Sequence, residues 1–276
     1  MSPDRCLVMG ILNRTPDSFY DGGRTGLEES VAHALRLVEQ GADILDVGGV
    51  KAGPGPEVSE DEELARVIPL IEAVREETDV TLSVETARPA VATAAAAAGA
   101  GILNDVTALA DPELPSACAQ AGVDLVLMHH GGQIRGRPRS PVYADVVADV
   151  ARMWRESEAL AAEQGVPSER LIFDPGLDFG KNTFHSLELM RRLPELTSQR
   201  DRVLIAPSRK DVVGETLALP LEERLEGTLA LVALSVLHGA AIVRVHDVEA
   251  TVRVVRMVEA VEGRRRPEAP VRGLWE

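Results

Sequence analysis

The stretch EESVAHALRLVEQGADILDVGGVKAGPGPE (Glu28–Glu57) holds one complete helix–strand–loop unit, and its reading decides the fold. Val31, Ala34, Leu35 and Val38 recur at helical spacing, so residues 28–40 are predicted as an amphipathic helix that stops at Gly41. ADILDVGG (Ala42–Gly49) follows at once, apolar without alternation, as a strand buried on both faces reads. It runs out into VKAGPGPE (Val50–Glu57), a loop of the kind where backbone N–H groups meet an anion. Yet that loop offers one lysine and no arginine, serine or threonine. It is either a working phosphate loop or the remnant of one.

The same unit repeats along the chain. Strand-like runs recur as CLVMGILN (Cys6–Asn13), VTLSVET (Val80–Thr86), GILNDVT (Gly101–Thr107), DLVLMHH (Asp124–His130), LIFDPG (Leu171–Gly176), RVLIAPSRK (Arg202–Lys210) and AIVRVHD (Ala241–Asp247). Helical patterns lie between most of them, over 60–77, 88–98, 112–121, 144–164, 183–193, 221–238 and 248–262. No linker-like stretch divides the units. One α/β domain over residues 1–262 is therefore expected, a single (β/α)8 barrel of the TIM type, with a short basic, proline-containing tail over 263–276. A doubly wound open sheet is the alternative, but it needs no eight strands so evenly spaced.

The 276 residues carry a net charge of −15, which disfavours nucleic acid and acidic lipid surfaces as partners. Any phosphate site must be a local positive spot in a negative field. Two cysteines, Cys6 and Cys118, make neither a disulfide framework nor a metal-ligand spacing, and Cys6 reads as core at the start of a strand. No charged-then-apolar leader and no apolar run of membrane length is found, so the expectation is cytoplasmic.

In a barrel the active site lies at the C-terminal ends of the strands. Those ends carry Asn13, Asp46, Glu85, Asn104 with Asp105, His129 with His130, Asp174, Lys210, and Arg244 with His246. One such residue is an ordinary cap or turn residue. A full ring exceeds what capping needs. Lys210, Arg209, Arg244 and His246 supply cationic or donor groups for a phosphate or pyrophosphate. Asn13 offers a neutral oxygen suited to Mg²⁺ bridging to phosphate, not to a dedicated metal cage. Asp174 and Asn104 suit the edge of a flat nitrogen heterocycle. His129 and His130 alternate to opposite sides of the chain, which argues against joint metal ligation.

MGILNRTPDSFYDGG, GADILDVGG, SVET, AGAGILNDV, LVLMHH, FDPGLDFGKN, SRK, ERLEGTLA and IVRVHD occur in this order, and together they resemble dihydropteroate synthase over residues 5 to 262. The resemblance implies a (β/α)8 barrel, usually homodimeric, that joins 6-hydroxymethyl-7,8-dihydropterin pyrophosphate to p-aminobenzoate with Mg²⁺ on the pyrophosphate. Pyrophosphate leaves first, and the aromatic amine captures the dihydropterin cation. By motif position, Asp174, Asn104 and Lys210 would hold the pterin ring, with Glu85, Met128 and Asp46 beside them. Asn13, Arg244 and His246 would grip the pyrophosphate and its Mg²⁺. Phe19 and Asp21 would fold over the reacting centre, and Pro54 and Asp211 would line the acceptor side. Two alternatives stand beside synthesis: a paralogue that binds pterin without turnover, and a pterin barrel serving methyl transfer to a corrinoid, against which SRK and RVHD argue.

The chain departs from the family where the opening loop lies. The family usually reads Glu-Ser-Thr-Arg-Pro-Gly after the Gly-Gly; here the run is Val50, Lys51, Ala52, Gly53, Pro54, Gly55. Both functional side chains are gone, and Lys51 is a point charge without arginine's fixed fork. The loop is thus repurposed or disabled. Asp211 stands where the family commonly has serine near the carboxylate of p-aminobenzoate. Facing inward, it would repel that carboxylate by about 4 kcal/mol at an effective dielectric of ~20. Turned outward, it would cap a helix at no such penalty. Glu85 is one methylene longer than the usual aspartate, Asp178 replaces a glycine, Pro207 stiffens the approach to Ser208, and His130 replaces a residue that is often nonpolar.

Overall fold

The computed structural model describes residues 5–13, 26–50, 58–131 and 142–272. Among them are eight strands: β1 (Leu7–Asn13), β2 (Ile44–Gly48), β3 (Thr81–Glu85), β4 (Ile102–Asp105), β5 (Asp124–Met128), β6 (Leu171–Asp174), β7 (Leu204–Ile205) and β8 (Ile242–Val245). All pair in parallel, in the order β6-β5-β4-β3-β2-β1-β8-β7. The order never reverses, as it would at the switch point of a doubly wound sheet. Phe173 pairs with Val203 as a bridge and donates its N–H to the Arg202 carbonyl at 2.9 Å, so β6 meets β7 and the barrel is nearly closed.

The helices between the strands are α1 (Leu27–Glu39), α2 (Glu60–Glu77), α3 (Pro89–Ala97), α4 (Leu114–Ala121), α5 (Val146–Glu163), α6 (Thr183–Arg191), α7 (Leu193–Thr197), α8 (Asp211–Leu217), α9 (Leu225–Leu237) and α10 (Val248–Val261). Their ends follow local chemistry. Ser59 caps α2 by accepting the Glu62 N–H at 3.2 Å, and four acidic residues fill that first turn, where the helix dipole favours negative charge. Asp145 caps α5 through the N–H groups of Val147 and Ala148. Gly41, at φ 99°, turns the chain from α1 into β2 as its position promised. The buried face of α1 centres on Ala34 and Leu37 rather than Leu35, which is only half-buried. The helix expected over 183–193 breaks at Arg192, because Pro194 suits the first turn of a new helix and not the interior of an old one.

Continuous apolar strands make sense because alternate residues enter two cores. Outward side chains such as Val8, Leu45, Leu82, Leu103 and Leu125 pack under the helices. Inward ones, Met9, Ile44, Ile102, Val126, Ile172, Leu204 and Ile242, fill the barrel. Each large aliphatic side chain so buried contributes roughly 1.5–3 kcal/mol. Two residues further along the same inward face, the side chains turn polar: Asp46 follows Ile44, Asn104 follows Ile102, Asp174 follows Ile172 and Arg244 follows Ile242. An apolar floor thus carries a polar layer, at the strand ends where a barrel's chemistry sits.

Candidate active site

Asp46 is the centre of the polar layer. Fully buried on β2, it accepts from Ser83 Oγ at 2.5 Å, from Asn104 Nδ2 at 2.9 Å and from Arg244 Nε at 2.6 Å. The same guanidinium donates through Nη2 to Glu85 Oε2 at 2.6 Å. One cation therefore bridges two carboxylates. Burial pushes Glu85 up to about 7; Arg244 pulls it down, and the Asp46 charge pushes it up again. Asn13 ends β1 over the paired Gly48, where an added Cβ would lie 2.8 Å from Asn13 Oδ1. At Gly49 a Cβ would meet Val67 of α2 at 2.7 Å. Close packing therefore favours glycine at Gly49 independently of any ligand, whereas at Gly48 a side chain would require only that the Asn13 amide turn away.

Across the barrel, Asp174 Oδ1 accepts the Gly176 N–H at 2.7 Å, and burial raises its pKa against the pull of Lys210. Lys210 donates through Nζ to the Leu177 carbonyl at 2.7 Å and stands 4.9 Å from the centre of the Phe179 ring, a cation–π distance. Burial lowers its pKa, with Asp174 and Asp178 opposing. Met128 lies on β5 beside Asp174 on β6, their Cα atoms in register. Cationic and anionic groups here face one another across a space floored by apolar side chains.

Several sequence expectations change. Asn104 spends a donor on Asp46, so its amide is already oriented from within. Asp105 turns back to accept from the Thr107 and Leu109 N–H groups and the Thr107 hydroxyl, holding the turn after β4. Arg209, at φ 54°, forks onto Asp247 through two 2.9 Å bonds and donates to the Leu221 and Glu222 carbonyls, so these donors are spent within the chain. His246 is a neutral imidazole, its pKa lowered to about 4 by burial and then by Arg244, and its Nδ1 lies 3.0 Å from Ser208 Oγ. Asp211 opens α8 and pairs with Arg224 Nη1 at 3.2 Å, so it meets a cation of its own chain. Phe19, Asp21, Lys51 and Pro54 lie outside the described residues.

The sequence reading missed Ser83, Phe179, Lys181 and Ser208. Period-two counting finds Ser83, two residues before Glu85 on the inward face of β3. The others lie inside the quoted FDPGLDFGKN and SRK runs, but nothing local says which groups they hold.

A family model described as "Pterin binding enzyme" matches residues 9–246. The chain is 48% identical over 278 residues to a Mycobacterium tuberculosis protein named inactive dihydropteroate synthase 2, covering 98% of this chain and 87% of that one. It is 43% identical over 255 residues to dihydropteroate synthase of Escherichia coli, covering 92% and 90%. The chain belongs to the dihydropteroate synthase family. A crystal structure of Yersinia pestis dihydropteroate synthase with a sulfonamide drug complex superposes with a TM-score of 0.92 at 40% identity, over 96% of this chain and 97% of that one. The barrel described above is thus a dihydropteroate synthase barrel. Among the described residues, no three or more His, Cys, Asp or Glu side chains gather as a metal site, and no helix is long and apolar enough to cross a membrane.

Proposed function

We propose that the chain is a dihydropteroate synthase-like transferase that holds 6-hydroxymethyl-7,8-dihydropterin pyrophosphate and joins the pterin to p-aminobenzoate. One observation carries the reading: Asp174 and Lys210 are each fixed by backbone groups of one loop and face Asn104 and Met128 over an apolar floor. A flat heterocycle with a donor–acceptor edge suits that arrangement. Arg244 and the neutral His246 form the side toward the departing pyrophosphate, and a Lys210–Arg244 pair placed ahead of the reaction stabilises charge as it develops. Asn13 offers a single neutral oxygen. It fits a Mg²⁺ brought in on the substrate's phosphates, where the ion would neutralise part of their charge.

A second reading, pterin binding without classical turnover, is favoured by the Asp46–Arg244–Glu85 cluster, whose two buried carboxylates already share Arg244 and would repel an arriving phosphate. Asp211 on the acceptor side and the name of the mycobacterial relative point the same way. A homodimer in the cytoplasm completes the proposal. Leu234, Leu237, Met257 and Val261 lie exposed on the adjacent α9 and α10 and would give the dimer an apolar face, which light scattering of the purified protein tests.

Pyrophosphate release from the dihydropterin pyrophosphate with Mg²⁺, run with and without p-aminobenzoate, separates the readings. Release that requires p-aminobenzoate supports the transferase. Saturable pterin binding without such release supports the second reading.

A further inference from the structure

Lys181 is buried at the end of the loop that follows β6, inside the FDPGLDFGKN run, and the proposed chemistry gives it no role. The loop is wound on left-handed backbone at Gly176 (φ 65°), Asp178 (φ 67°) and Gly180 (φ 61°). It lies directly on the chain leaving β5: a Cβ at Gly176 would stand 2.0 Å from the His129 carbonyl oxygen, and one at Gly180 2.2 Å from that of His130. Such winding turns carbonyl groups inward. Those of Gly176, Phe179 and His129 converge on Lys181 Nζ at 3.0, 2.9 and 3.2 Å, and His129 Nδ1 lies 2.7 Å away.

Protonation follows from the partners. His129 Nε2 lies 3.1 Å from Asp149 Oδ2, and a carboxylate only accepts, so Nε2 carries the hydrogen and Nδ1 presents its lone pair to Lys181. An ammonium has three N–H groups for these four acceptors; a neutral amine has two. Asp174 on β6, Asp149 on α5 and Asp178 in the loop face Lys181 and favour its charge. Burial opposes them first, then Lys210, and holds Lys181 down to about 7. Burial likewise holds His129 at about 4, as the neutral imidazole this arrangement needs.

The two loop carbonyls that Lys181 grips belong to Gly176 and Phe179; Leu177, between them, holds Lys210 by its carbonyl, and Phe179 holds it by its ring face. We propose that Lys181 is a positioning residue: its ammonium, oriented by His129 and Asp149, acts as an internal cation that fixes this loop and, through Leu177 and Phe179, the place of Lys210. The proposal rests on the reading of Lys210 as a pterin-binding group.

The test is binding of 6-hydroxymethylpterin, followed by its fluorescence, to the full chain and to Lys181→Met, Lys181→Ala, Asp149→Asn and Lys210→Ala. Lys181→Met and Lys181→Ala are expected to bind about tenfold or more weakly, the usual consequence of losing a residue that orients a ligand-contacting one. Propylammonium should restore Lys181→Ala, and 1-propanol of the same shape should not, since packing alone is not what the cage lacks. Should the Lys181 variants fail to fold, Asp149→Asn keeps the cage filled but loosens the imidazole, and a several-fold weakening is expected. Wild-type binding in Lys181→Met, equal rescue by 1-propanol, or wild-type binding in Asp149→Asn where the Lys181 variants do not fold would overturn the proposal. Unchanged binding in Lys210→Ala would instead remove the reading beneath it; loss there with Lys181→Met unaffected refutes the positioning role alone.

Discussion

The two sides of the barrel mouth hold their charges in different ways. Toward β6 and β7, Asp174 and Lys210 are each held by the backbone, through the Gly176 N–H and the Leu177 carbonyl. Toward β8, β2 and β3, the charged side chains hold one another: Arg244 lies between Asp46 and Glu85. The first side is organised ahead of any ligand, at little reorganisation on binding. The second is an ion cluster in which one guanidinium serves two buried carboxylates. An anion arriving at the N–H groups that Arg244 has left meets two carboxylates at short range, and displacing one of them would leave it buried without its partner.

The largest expected effect breaks the closed side. Arg244→Met leaves Asp46 and Glu85 buried together without their cation and should destabilise the protein by about 3–5 kcal/mol, read from urea unfolding. A loss below about 1 kcal/mol would mean the two carboxylates are not electrostatically closed.

Glu85→Gln sharpens the comparison through pH. Glu85 titrates near 7 in the fold against 4.5 in its ordinary state, so between those values the folded chain binds more protons than the unfolded one. Its stabilising contribution is present below 4.5 and lost as pH rises through about 7. Unfolding free energies measured across this window should fall more steeply for the wild type than for Glu85→Gln. Parallel curves would place the proton elsewhere. Lys181 acts in the opposite direction at higher pH: lowered from 10.5 to about 7, it makes stability rise with pH between those values, and Lys181→Met should flatten that rise.

On the organised side the expected effects are smaller. Asp178 caps α8 from a distance, accepting the Val212 N–H at 3.1 Å and the Ser186 hydroxyl at 2.9 Å. Asp178→Ala should remove about 1 kcal/mol of stability by losing this cap at a left-handed position. Asp211→Ser is the smallest. Its ion pair with Arg224 is partly exposed and is worth at most about 1 kcal/mol. Because Arg224 already balances the carboxylate, p-aminobenzoate binding should improve by less than about tenfold, well short of the effect of a bare facing charge. An improvement near a thousandfold, in a direct titration, would show that Asp211 turns inward when the acceptor arrives.

The strands and most helices were legible because burial on two faces writes itself as continuous apolar runs between amphipathic segments. β7 was expected from RVLIAPSRK and pairs over only Leu204–Ile205, whereas α8, seven residues with Gly214 inside, is too short for a period to show. In the site, the inward polar layer was legible from what ends each strand. The partnerships were not. Arg244 meets Asp46 and Glu85 from 198 and 159 residues away, and no local pattern records which carboxylates share a cation. Arg209 and Lys210 are neighbours of like charge, yet a left-handed backbone at Arg209 sends it to Asp247 while Lys210 stays at the mouth. The same blindness hid Lys181, whose role lies in three carbonyl groups that no side-chain alphabet displays.

The most direct test of the central claim, that the pterin half of this site is intact, is calorimetric titration of the wild type and Lys210→Ala with 6-hydroxymethyl-7,8-dihydropterin pyrophosphate and Mg²⁺. The account predicts saturable binding in the wild type, weakened about thirtyfold in Lys210→Ala, as loss of a charged hydrogen bond of about 2 kcal/mol implies. No binding in the wild type, or equal binding in the two proteins, would contradict it.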